Sequence, residues 1–149
     1  MAETAITTYA SQDDLVDRFG NNLVAQISQV DSSQPAGTID TTRVTTALQW
    51  AASEIHRMFR DGPYSLPLTF NAPEDANIVI EWNCVLALEW LYTTRGLRDD
   101  DGDGNKFTAM GKETRRQIRA AKCGAEPITG SRRWPGPSGA VASPQFQVP

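Results

Sequence analysis

The densest run of possible ligand atoms in this chain is Asp99-Asp100-Asp101-Gly102-Asp103-Gly104. Asp99, Asp101, Asp103 and Gly104 match positions 1, 3, 5 and 6 of a calcium loop, in which alternate oxygens converge on one hard cation and glycine permits the sharp bend. Such a loop ends on a bidentate glutamate at position 12, and here that position is Met110. Without that ligand the run reads as a solvated acidic loop, calcium at Asp99, Asp101 and Asp103 is the weaker alternative, and no cofactor is expected.

A second cluster follows directly. Lys112, Arg115, Arg116, Arg119 and Lys122 make one segment basic. They are spread too widely around a helix for a single narrow stripe. Two readings stand: a face that touches DNA phosphates without reading sequence, as in a channel or between subunits, or a solvated face paired with acids such as Asp99 to Asp103. The third cluster lies near the end of the chain, where Arg132, Arg133 and Trp134 sit together and Phe146 follows. Arginine and tryptophan are favoured anchors at protein interfaces, so these residues are candidates for gripping a partner.

Catalytic chemistry finds little to work with. His56 is the sole histidine, and no nucleophile or carboxylate pair is spaced with it. Cys84 falls within an apolar stretch and reads as a small core residue, while Cys123 sits among basic residues near a helix end. No glycine loop suited to phosphate is present, since Gly102 and Gly104 lie among aspartates. A non-enzymatic role is the expectation.

The rest of the chain must position these groups. At 149 residues it suits one domain with a tail. The net charge of -4 argues against the whole molecule binding nucleic acid non-specifically. Two cysteines make no disulfide framework, and no apolar run of about 18 residues exists. The start, Met1-Ala-Glu-Thr, lacks signal-peptide character, and a soluble protein of the reducing cytoplasm is expected.

Residues 1–10 read as an extended arm. Ser11 to Asp14 form a capping-box-like helix start, Leu15, Val16 and Phe19 give an apolar face, and Gly20 ends the turn. A short helical piece runs from Leu23 to Ser28, and residues 31–40 form a loop. Asp40 caps a helix from Thr41 to about Arg60, with Val44, Leu48, Ala51, Ile55 and Phe59 on one stripe. Residues 64–72 cross in extended form, placing Leu66, Leu68 and Phe70 on the core. A helix from Pro73 to about Arg95 is apolar around nearly its whole barrel, so it is the central helix, buried by its own chain or partly by a neighbouring subunit. A last helix runs from about Thr108 to Lys122. From Ala125 onward the chain holds five of its nine prolines and cannot build a core. The expected fold is all-α: a bundle of four to five helices over 11–124, with a crossing segment and an extended Pro-rich tail over 125–149.

Tyr9-Ala10-Ser11-Gln12-Asp13-Asp14-Leu15-Val16-Asp17-Arg18-Phe19-Gly20 resembles the opening "Y-A-(T/S)-x-x-D-L-x-x-R-F-G" of a family of small structural proteins of Mu-like prophages. Ile39-Asp40, the run Ala51-Ala52-Ser53-Glu54-Ile55 and Tyr64-Ser65-Leu66-Pro67-Leu68 follow in the same order, and the similarity covers roughly residues 8–124. Such proteins look like phage head–tail connectors, also called adaptor or head-completion proteins. The resemblance implies a virion protein at the head–tail junction, assembled in the host cytoplasm. It implies a ring of twelve-fold symmetry that binds the portal, meets a downstream tail or nozzle protein and surrounds a DNA channel, with no membrane contact. The acidic run and the proline-rich tail depart from the family pattern, and the tail is the candidate portal grip. A small calcium-binding or DNA-binding regulatory module is the competing reading.

Overall fold

In a computed structural model the described residues are 6–30, 34–94, 104–124 and 128. They form five helices: α1 (Gln12–Phe19), α2 (Asn21–Ser28), α3 (Thr41–Phe59), α4 (Pro73–Thr94) and α5 (Gly104–Cys123). The all-α bundle expected from the periodicity is what the chain adopts. Local chemistry explains the starts. The Ser11 side chain accepts from the Asp14 amide while the Asp14 carboxylate accepts from the Ser11 amide, a complete capping box. Asp40 accepts from the Arg43 amide at the head of α3. Gly20 both ends α1 and begins α2 at a φ of 88°, a backbone conformation that side chains with a Cβ rarely adopt, and so lets two short helices turn sharply without a loop.

The helix α4 touches all four of the others, most extensively α3 and then α5. Its residues from Trp82 through Leu88 are buried without interruption, so over two turns no side of the helix meets water. That burial comes from this chain alone. This is the first of the two ways its burial was expected to arise, although Ile78 nearer the start of α4 is 42% exposed.

One polar side chain sits in this apolar stretch. Asn83 is fully buried, and its Oδ1 accepts from the backbone amides of Tyr9 (2.8 Å) and Ala10 (3.1 Å) while its Nδ2 donates to the Leu48 carbonyl of α3 (3.1 Å). A buried amide is tolerated only when bonded in this way. Asn83 thus fastens the segment before α1 onto the α3–α4 pair.

Two tyrosine hydroxyls do similar work for other irregular backbone. The Tyr9 hydroxyl accepts from the Leu68 amide (2.9 Å) and meets His56 Nε2 (2.6 Å). The Tyr64 hydroxyl accepts from the Ile128 amide (3.0 Å) and donates to the Ala121 carbonyl at the end of α5 (2.9 Å).

These bonds shift several expectations. Tyr9 and Ala10 belong to the packed unit rather than to a free arm, and Ile128, 3% exposed, extends that unit past residue 124. In the crossing segment Leu68 is buried and Phe70 packs at the core edge as expected. Tyr64, on the same alternating face, is buried too, while Leu66 is exposed because bends at residues 66 and 67 break the strict alternation of an extended strand. The last helix begins at Gly104, a turn earlier than expected, which brings Phe107 against Tyr92 with ring centroids 5.0 Å apart. Replacing Asn83 by alanine should cost about 3 kcal/mol, since it strands two buried amides. Denaturant unfolding checks this: the midpoint should fall with the slope unchanged, and an unmoved midpoint would remove Asn83 from its central place.

Candidate functional site

The charged surface of α5 carries the candidate functional chemistry. Phe107, Gly111, Thr114, Ile118 and Ala121 recur at helical spacing and are buried, so they fix which side of α5 faces the core. At 3.6 residues per turn Lys112, Arg116 and Arg119 then fall within ~60° of one another on the far side. All three are exposed. The five basic residues grouped by sequence therefore separate. Lys112, Arg116 and Arg119 do make a narrow stripe, Lys122 is half-buried beside Gly62, and Arg115 turns inward.

Arg115 joins three helices. Its Nε donates to Glu54 of α3 at 3.0 Å, and its two terminal nitrogens donate to the two oxygens of Glu89 of α4 at 2.7 and 3.3 Å. The carboxylates are sheltered, with side chains 11% and 14% exposed, so the forked arrangement is worth more than an open surface pair. Gly111 makes it possible: a methyl group there would collide with the Glu89 carboxylate, so only glycine lets α4 bring that group so close to α5. The hydrogen bonds from Glu89 lead in raising the Arg115 pKa, partly opposed by burial.

Arg116 instead pairs with Glu113 on the open surface, at 2.7 and 2.9 Å, and that guanidinium, helped by Gln117, holds the Glu113 carboxyl down to about 2. Gln117 donates to Glu113 and accepts from the Trp82 indole at 2.9 Å, so a chain of hydrogen bonds runs from the core to the stripe. Beside it, Val85 and Met110 floor a shallow groove of about 360 Å³ between α4 and α5, bordered by Glu81 and Glu113.

The other candidates are placed as follows. His56 is partly buried, and its ring lies edge-on to Tyr9 with centroids 5.4 Å apart. Burial, then the nearby Arg60, lowers its pKa below the usual 6.5. Burial pushes the Cys84 thiol up to about 12, which suits packing and not nucleophilic attack. Cys123 is exposed. Asp99, Asp101 and Asp103 lie outside the described residues, as do Arg132, Arg133, Trp134 and Phe146. Gly104 to Met110, which would supply the second half of a calcium loop, are helical. Among the described residues no group of three or more histidine, cysteine or acidic side chains is placed to hold a metal, and no helix is long and apolar enough to cross a membrane. The sequence did not point to Glu54, Glu89 or Gly111, because a contact between residues 61 or 26 positions apart leaves no local signal.

Two predictions follow from these contacts. Replacing Arg115 by alanine leaves Glu89 sheltered without its cation and Glu54 with only Arg57 at 3.6 Å, and should destabilise the fold by about 2 kcal/mol, whereas Arg116→Ala should leave stability nearly unchanged. Equal losses in thermal or denaturant unfolding would contradict the division of α5 into an inner and an outer charge. For His56, the folded chain resists a proton that the unfolded chain accepts. Its contribution is intact above pH 6.5 and is lost as the pH falls through the lowered folded value. Stability measured from pH 7 downward should therefore fall more steeply in the native chain than in His56→Gln; parallel curves would show that His56 titrates freely.

No curated protein matches the chain. The model of the family described as Bacteriophage Mu, Gp36 matches residues 9–122, from the first residue anchored on Asn83 to the last turn of α5. That span takes in all five helices and most of the chain, and the protein therefore belongs to the Bacteriophage Mu, Gp36 family of phage proteins.

Proposed function

We propose that this protein is a non-enzymatic head–tail connector of a tailed phage. In this reading copies of the chain form a ring, of twelve-fold symmetry, on the portal. The ring links the portal to the next tail or nozzle component at the head–tail junction and surrounds the packaged DNA. Membership of a phage family across 9–122 carries the proposal. The site geometry supports it. His56 and Cys84 serve packing, while α5 presents Lys112, Arg116 and Arg119 on one open face, suited to phosphate contact along a channel or to contact between subunits.

The tail is assigned to the portal. Ile128 is pinned by the Tyr64 hydroxyl, and the sequence beyond it holds Arg132, Arg133, Trp134 and Phe146. A Pro-rich segment with aromatic and arginine anchors can order on a partner surface at the cost of its chain entropy. Truncation after Ile128 should leave the unfolding midpoint of the helical unit in place and abolish co-sedimentation with portal rings. Normal attachment by the truncated chain would refute the tail's role, and a full-length chain that ignores the portal would refute the connector reading.

A further inference from the structure

The same protomer carries two exposed charged faces of opposite sign. On α4, Glu74, Asn77, Ile78 and Glu81 recur at helical spacing and are all exposed. Ile78, 42% exposed, is an apolar centre flanked by two carboxylates. Neither Glu74 nor Glu81 has an ion pair among the described residues. On α5, Lys112 and Arg119 are likewise without one, at either end of a stripe whose middle is Arg116. Met110, Thr114 and Gln117, which border the groove next to Glu81, lie ~100° or more around α5 from the basic residues, and Glu113, which borders it too, is held by Arg116.

We propose that these faces mate between copies: the Lys112–Arg116–Arg119 stripe of one protomer docks on the Glu74–Ile78–Glu81 face of the next. This rests on the ring reading above and says which surfaces build it. A contact between two different patches on identical chains is head-to-tail, and repeated it closes into a ring when the rotation per subunit allows. An excess of one sign on each patch, positive on α5 even with Glu113 beside Arg116, fixes which patches meet and disfavours like pairings, in which acid would face acid or base would face base. Ile78 supplies apolar area at the centre, where water is excluded, and the charges form the rim. The core does not compete for this contact, since α4 is already covered from Trp82 to Leu88.

A reciprocal charge exchange tests the pairing. Lys112→Glu with Arg119→Glu makes both faces acidic, and Glu74→Lys with Glu81→Lys makes both basic. Each double variant alone should lose self-association at least ~10-fold, alone or on the portal, as read by light scattering. An equimolar mixture should regain it, because acid then meets base at every junction of an alternating ring. All four positions are exposed, so unfolding midpoints should match the native chain.

Carbodiimide coupling of the native protein, mixed from isotope-labelled and unlabelled copies, supplies a second readout free of substitutions. It should join Lys112 to Glu74 or Glu81 in mixed-isotope peptides. Variants that assemble as the native chain does, or couplings that map elsewhere, would overturn the proposed interface and leave the connector standing. A native chain that stays monomeric both alone and with the portal would overturn both.

Discussion

The fold depends on enclosing one helix completely. An amphipathic helix can leave a polar side to water, and its covering segments can then be loose. The middle of α4 has no such side, so whatever closes over it must also be dry, including stretches that are not helical. Irregular backbone in a dry place needs partners for its amides and carbonyls that it cannot provide for itself. Asn83 answers that need for the segment entering α1, and the Tyr9 and Tyr64 hydroxyls answer it for the crossing segment and for Ile128. Each of these groups accepts from backbone amides and reaches a second element, so satisfying the backbone and tying the bundle together are one act.

Around this neutral core the charges are sorted by depth. Arg115 is bound by carboxylates from two other helices, and a glycine on its own helix admits one of them. It stabilises the arrangement of α3, α4 and α5, with three of its five N–H donors turned to those two carboxylates. One residue further along, Arg116 points outward and pairs only with its neighbour on the same helix. A single step along a helix turns a side chain by ~100°, which is enough to divide adjacent arginines between packing and surface.

Much of this was legible from residue order because it is local. The capping box at Ser11 and Asp14, the cap at Asp40, the stripe from Val44 to Phe59 and the all-round apolarity of α4 each reside within one helix, and the structure repeats them. What the sequence did not reveal depends on distant partners. Asn83 looked like an interruption of an apolar helix, since its three partners lie in residues 9, 10 and 48. Leu66 leaves the face that Tyr64 and Leu68 share because the chain bends at residues 66 and 67, which the alternation of residue types does not foretell. The basic residues of α5 looked scattered while Arg115 and Lys122 were counted with the rest. Knowing which side faces Phe107 and Ile118 reduces them to a stripe.

A self-sufficient core also bears on how such a protomer could assemble. Obligate subunits often leave apolar surface open and have no stable folded monomer. Among the described residues the large apolar side chains left exposed are few and separated along the chain, at Ile6, Val30, Trp50, Leu66 and Ile78. A ring built from this unit would draw less on hydrophobic burial than on matched charge, which guides encounter and register but is screened by salt. Subunits of that kind persist folded and separate until a template raises their local concentration, and a tail that engages the portal would supply such a template. Weak contacts between protomers and a firm grip on the portal are then parts of one design, because the first prevents assembly away from the site that the second selects.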